Sequence, residues 1–390
     1  MKCEEKFLEL YHKAPHGVAF CPYRVNPVGA HSDYNQGFVT GMTLDRGIHI
    51  AYSPKLNGVV ELCSLQFDKR AQWHIAQVPK TKRDDWADYL RGATLQLANR
   101  YPLRNGISGV IEGTMPIGGL SSSAAVVLSF LQALCDVNDI RLSAQELIAF
   151  SVGVENEYIG FNCGKNDPSC EVLSQKDRLL FVDTCTDEFR LIPFGGTSDW
   201  AIAIFFSGIE RKIAGSNKFN MRVDESRAAA YALQAYAGME YGKFAETNLR
   251  QIPREVYEQY KDRLPENWRK RAEHWYTEQE RVTRGLEAWS RGDLVAFGQA
   301  MFESGRSSIC NWETGSDELK ALYDIMTHTE GIYGGRFSGA GLKGCCMAII
   351  DPAYADSIGR QVEAEYLAQF PDLRGKYSYH VCHSADGVGA

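Results

Sequence analysis

Through the first half of the chain, compact apolar runs alternate with longer stretches in which apolar residues recur every three to four positions. The runs "GVVELCSLQF" (58–67), "GISGVIEG" (106–113) and "RLLFVDTC" (178–185) predict strands, whereas "WADYLRGATLQLANRY" (86–101), "SSSAAVVLSFLQALCDV" (121–137) and "SAQELIAFSVGVENEYIG" (143–160) predict helices. Such alternation predicts α and β elements sharing one core. From about Met221 to Ser308 the pattern becomes long and amphipathic, clearest in "RAEHWYTEQERVTRGLEAWSRGDLVAFGQAMFESG" (271–305), whose charged residues are expected on a solvated helix face. Strand-like "AIAIFF" (201–206) and "GCCMAIID" (344–351) bracket this block, and "YHVCHSADGVGA" follows at 379–390. The pattern predicts two α+β domains, 1–195 and 196–390, with no Pro- or Ser-rich linker and no internal repeat between them.

Composition narrows the partners. A net charge of −7 over 390 residues opposes a general nucleic-acid or anionic-membrane binder, because such partners need a basic surface. A small anionic substrate stays open, since a local cluster can oppose the global sign. The eleven Cys are odd in number and form no C-x-x-C pair, which reads as reduced thiols of a cytoplasmic protein. The first residues, "MKCEEKFLELYHK", are charged and helix-like, and the longest apolar run, "WAIAIFFSGI", is too short to span a bilayer. No His/Cys spacing fits a structural metal site.

Three Gly-rich segments carry candidate chemistry. In "GTMPIGGLSSSAAVVLSFLQALC" (113–135), Gly118 and Gly119 precede Ser121, Ser122 and Ser123 at the start of a helix. This is either a phosphate site at a helix N-terminus or an ordinary Ser-capped helix. The Walker pattern is absent. In "GVENEYIGFNCGKNDPS" (153–169), Glu155 lies on a predicted helix and Asp167 twelve residues later in a turn, as a helix cap or a general base. In "GGRFSGAGLKGCCMAIID" (334–351), Gly339, Gly341 and Gly344 form a literal G-x-G-x-x-G. A dinucleotide site would need that motif to open a helix, and here an apolar strand follows, so the segment is not read that way.

Taken in order, these segments resemble the GHMP small-molecule kinases, and among them the galactokinase branch. "YRVNPVGAHSDY" (23–34) resembles the galactokinase signature G-R-V-N-L-I-G-E-H-T-D-Y, "GLSSSAA" the family's phosphate loop, "NCGKNDPS" the segment of its catalytic aspartate and "RFSGAGLKGCC" its third motif. The resemblance implies a two-domain α+β fold with the active site between the domains. There the γ-phosphoryl group of ATP passes to the anomeric hydroxyl of a sugar, with Mg²⁺. Carried onto matching positions, Gly118, Gly119, Leu120, Ser121, Ser122 and Ser123 cradle the phosphates, and Ser123 and Glu155 hold Mg²⁺. Asp167 takes the hydroxyl proton, Arg24 pairs with Asp167, and Ala30, His31, Asp33, Gly164 and Phe219 border the sugar. The chain departs from the galactokinase pattern at Lys165–Asn166 and Pro168 around the aspartate, at Phe219 in place of a Tyr, at Lys343 in place of a Gly, and in a phosphate loop one residue shorter.

The largest departure is Ala30. In galactokinases the matching Glu accepts a hydrogen bond from the sugar's C6 hydroxyl, and a sugar oxidised there to a carboxylate would meet a like charge. Two such charges about 4 Å apart repel by about 4 kcal/mol at an effective dielectric of about 20. Ala30 removes both charge and bulk, and the plant-type galacturonokinases show the same loop, so the resemblance implies a uronic-acid 1-kinase acting on D-galacturonate. Galactokinase, or a non-catalytic sugar sensor on the same fold, are the alternatives. A cation should receive the carboxylate, and Lys343, Arg336 and Lys165 are the candidates.

Overall fold

The computed structural model describes residues 1–67, 69–161, 163–209, 216–240 and 242–389. After helix α1 (Lys2–Tyr11), strands β1 (Gly17–Val25), β2 (Phe38–Lys55), β3 (Val59–Ser64) and β4 (Lys69–His74) lead to α2 (Asp88–Ala98) and β5 (Gly106–Gly113). Helices α3 (Ser122–Asp136), α4 (Ala144–Gly153) and α5 (Asn166–Leu173) precede β6 (Arg178–Asp183) and β7 (Glu188–Pro193). The strands form one sheet in the order β4-β3-β5-β2-β6-β7, with β1 also paired to β2.

A second sheet begins at β8 (Ala201–Phe206). A helical block follows: α6 (Ser216–Tyr236), α7 (Arg254–Tyr260), α8 (Glu266–Ser290), α9 (Leu294–Cys310) and α10 (Asp317–Met326). Then come β9 (Ile332–Phe337), β10 (Cys345–Ile350), α11 (Ala355–Gln369), β11 (Ser378–Cys382) and β12 (Ser384–Ala385). The order here is β11-β8-β10-β9, all antiparallel, while β12 returns to pair with β2 of the first sheet.

The continuous apolar runs of β8 and β10 have a physical reason: both of their faces are buried. Ile202, Ile204, Phe206, Met347 and Ile349 join the large core that also holds the first sheet and α3, whereas Ala201, Ala203, Phe205, Ala348 and Ile350 face a second core under α10 and α11. One hydrophobic core therefore spans the two sheets. No helix among the described residues is long and apolar enough to cross a membrane.

The predicted amphipathic run 271–305 is two helices, separated at Gly292, whose φ of 74° suits a residue without a Cβ. The expected solvated charged face is present in part on α8, where Glu280, Arg284 and Glu287 are exposed. Arg271, His274, Glu278 and Arg281 are buried instead, because α8 packs against α9 and also meets the loop at Gly29 and Ala30.

Candidate active site

Arg24 and Asp167 form the first half of the site. The β1–β2 register shifts between Pro22 and Arg24, an irregularity that re-aims the side chain out of simple alternation. Arg24 is buried and donates from Nε to Asp167 Oδ1 (2.8 Å) and from Nη2 to Oδ2 (2.5 Å), with Nη1 donating to the Gly119 carbonyl (2.9 Å). Burial alone would lower the guanidinium's pKa, but Asp167 overrides it and holds it above its ordinary value. The Asp167 side chain keeps 35% exposure toward the pocket. Asp167 is thus no helix cap: it sits in the first turn of α5 after Lys165, and both its oxygens are engaged by Arg24.

The serine loop lies against this pair. Ser121, at φ 60°, occupies the N-cap position of α3 but makes no side-chain cap bond, so the ordinary Ser-cap alternative does not describe it. Its buried hydroxyl lies against the Glu171 carboxyl. The first amides of α3 have no acceptor within the helix, and a helix start of this kind can bind phosphate. Gly118 and Gly119 have positive φ and pack backbone to backbone with the third motif: a Cβ on Gly344 would lie 2.5 Å from the Gly118 carbonyl carbon. The third motif itself connects β9 to β10 and opens no helix.

Glu155 belongs to a single π-helical turn, Val154–Ile159, that continues α4. Its carboxylate accepts from Ser123 and from the Cys163 thiol, and Tyr89 is hydrogen-bonded to the same serine. Burial raises its pKa. Glu155 and Ser123 therefore offer two adjacent oxygen donors on the pocket wall.

On the opposite side of the pocket, the Gly29 and Ala30 amides donate to Glu278 Oε1 (2.7 and 3.2 Å), and the Ala30 carbonyl accepts from His274 Nε2 (2.9 Å). His31 stacks on Trp312, ring centroids 5.0 Å apart, and burial lowers its pKa so far that it is neutral at pH 7. Asp33 accepts from the Asn166 amide (3.3 Å). Burial, then the charge of Asp167, raise its pKa to about 6. Gly164 is needed beside it, since a Cβ there would fall 2.1 Å from Asp33 Oδ2. Phe219 stacks on Phe161 and meets Tyr34 edge-on.

Arg24, Ala30, His31, Asp33, Gly119, Ser121, Ser122, Ser123, Glu155, Gly164, Asp167 and Phe219 all line one pocket, whereas Gly118 and the buried Leu120 are not among its lining residues. Of the three cations considered for a carboxylate, only Arg336 lines it. Lys165 is ion-paired with Asp187 (2.7 Å) and Lys343 is solvent-exposed, both off the pocket wall.

Sequence reasoning missed Glu278, His274, Trp312 and Glu171. The first three come from the helical block and carry no motif. Glu171 follows Asp167 by one helical turn on α5 and is fully buried, with its pKa well above the ordinary value through burial and then the charge of Asp167. The i, i+4 spacing was the available signal.

Three family signatures match the chain in order: the galactokinase galactose-binding signature over residues 5–54, the GHMP kinases N terminal domain over 88–175 and the GHMP kinases C terminal domain over 285–368. A galacturonokinase of Arabidopsis thaliana is 33% identical over 95% of this chain and 92% of its own length, and a galactokinase of Roseiflexus sp. is 29% identical over 99% and 95%. The crystal structure of Lactococcus lactis galactokinase complexed with galactose superimposes with a TM-score of 0.88 at 26% identity, covering 98% of this chain and 97% of that one. The chain belongs to the GHMP kinases, within their galactokinase and galacturonokinase group of sugar kinases.

Proposed function

We propose that this sugar kinase transfers the γ-phosphoryl group of ATP to the anomeric hydroxyl of a hexuronic acid, D-galacturonate, with residues 1–195 and 196–390 as the lobes around its cleft. Position 30 carries the reading. On the sugar side of the pocket Ala30 supplies a methyl group where galactokinases place a carboxylate, and His31 beside it is uncharged. The similarity to the Arabidopsis galacturonokinase supports the same substrate.

In this reading the sugar lies between the Gly29–Asp33 loop, Gly164 and Phe219, with its anomeric oxygen at Asp167. Asp167 takes the hydroxyl proton as that oxygen bonds to the γ-phosphorus and the bond to the bridging oxygen of ADP breaks. Arg24 fixes the carboxylate through two hydrogen bonds and stabilises charge as it develops. The amides at the start of α3 and the Ser121 and Ser122 hydroxyls hold the phosphates. Glu155 and Ser123 are hard oxygen donors that fit Mg²⁺, which when bound neutralises phosphate charge.

An ADP-release assay with galacturonate, glucuronate and galactose tests the substrate. The expected order places galacturonate first, and faster turnover of galactose overturns it. Ala30→Glu is expected to reverse the preference by about a thousandfold, the size of the like-charge repulsion.

A further inference from the structure

We propose that Arg336 is the receptor for the carboxylate of the sugar acid, holding it on the pocket wall beside Ala30; this rests on the uronate reading above. Arg336 lies on β9, is 1% exposed and lines the same pocket as Ala30 and His31. Its polar contacts are all to neutral acceptors: Nε donates to the Phe337 carbonyl (3.1 Å), Nη1 to Ser304 Oγ (3.0 Å) and Nη2 to Ser308 Oγ (3.2 Å). A guanidinium has five N–H donors, so two remain for a ligand. Burying a charge is costly, and among the described residues Arg336 forms no ion pair; the Glu278 charge acts on it from beyond Ser304.

Glu278 is the acid nearest to serving as its partner, and it is committed elsewhere. Its Oε2 accepts from Arg281 Nε (2.7 Å), and its Oε1 from the Gly29 and Ala30 amides and from Ser304 (2.5 Å). Ser304 accepts from Arg336 and donates to Glu278, so one chain of hydrogen bonds runs from the Arg336 guanidinium to the Ala30 amide. The cation is thereby fixed in orientation relative to the loop that borders the sugar, and a planar guanidinium matches a carboxylate with two parallel bonds.

The other cations offer less. Arg24 is neutralised by Asp167, Lys165 by Asp187, and Lys343 is exposed away from the pocket. His31 and His274 are both held neutral by burial. Burial also pulls Arg336 down to about 10, which leaves it charged at neutral pH, and an incoming carboxylate relieves that strain.

The test compares kcat/KM for galacturonate, its neutral amide and galactose in the wild type, Arg336→Gln and Arg336→Lys. The wild type is expected to favour galacturonate over the amide by about a hundredfold. Arg336→Gln should lower kcat/KM for galacturonate about a hundredfold more than for galactose, mainly through KM. Arg336→Lys, which keeps the charge and is the milder change should the first variant fail to fold, should give about a tenfold loss of the same ratio. Equal losses on all three substrates, or a wild type indifferent to amide against acid, overturn the assignment while leaving a galacturonate preference standing. A wild type that prefers galactose overturns the uronate reading itself, and the receptor with it.

Discussion

The two ends of the pocket handle buried positive charge in opposite ways. Beside the serine loop Arg24 meets the carboxylate of Asp167 with two hydrogen bonds and the Gly119 carbonyl with a third. On β9 Arg336 meets only hydroxyls and a carbonyl, while the nearby acid, Glu278, spends its charge on Arg281 and its oxygens on backbone amides. On the proposed function, the contrast separates chemistry from selection. A matched pair is complete before substrate arrives, as a group that must act at a fixed position requires. An unmatched cation is completed by the ligand, and so discriminates among ligands.

The sharpest way to break the comparison is to remove the matched pair. Asp167→Ala should lower kcat for sugar phosphorylation by about 10²- to 10⁴-fold. Arg24→Ala should cost a similar factor, with the double variant losing far less than the product because the two act as a unit. An ADP-release assay reads both, and independent, multiplicative losses would dissolve the pair.

Next in size is the anchor of the unmatched end. Glu278 is held at about 2 because Arg281, His274 and Arg336 outweigh the burial that disfavours its charge. Glu278→Ala leaves buried Arg281 without its partner and the Gly29 and Ala30 amides without their acceptor, and should cost about 3 kcal/mol, seen as a lowered midpoint in denaturant unfolding. A variant as stable as the wild type would mean the network is not held by that charge.

Gly164→Ala probes the contact between the ends, since its Cβ would crowd Asp33. The KM for the sugar should rise about ten- to a hundredfold with a smaller change in kcat, because about 1.4 kcal/mol of displaced contact is worth each factor of ten. The pH dependence is smaller still. Asp33, with its pKa near 6, accepts hydrogen bonds best when ionised, so KM should fall as pH rises through about 6, and Asp33→Asn should flatten that step.

The smallest effect expected belongs to Glu171. An acid whose folded pKa is raised lends its stability below its unfolded pKa and loses it as pH rises toward the folded value. Glu171→Gln should therefore gain thermal stability relative to the wild type as pH increases above about 4.5, and a difference in Tm that does not change with pH would show Glu171 to be ionised in the fold.

The same contrast explains what could be read from the chain. Arg24, Asp167, Glu155 and the serines stand in short segments whose order and spacing carry the family resemblance, and they meet in one pocket because the loops that hold them are each continuous in sequence. The apolar runs of β8 and β10 were legible as strands because burial on both faces leaves no polar position to blur the pattern. The network around Arg336 was not, because Glu278, Arg281 and His274 lie on a charged helix, and a run of charges looks the same whether it faces water or another buried charge. Residue type alone left Ser121 open between a cap and a phosphate-loop serine, and its αL backbone without a cap bond has no sequence signal of its own beyond the preceding glycines.

The backbone contact between Gly118 and Gly344 ties the drift of two distant stretches of sequence together. A Cβ on Gly344 would overlap the Gly118 backbone and one on Gly118 would press on the Gly344 Cα at 3.0 Å, so change in the serine loop and change in the loop between β9 and β10 should be accepted as pairs. For anyone remaking this pocket for a bulkier phosphate donor, the two loops are a single part, and redesigning one alone would spend its gain on a collision with the other.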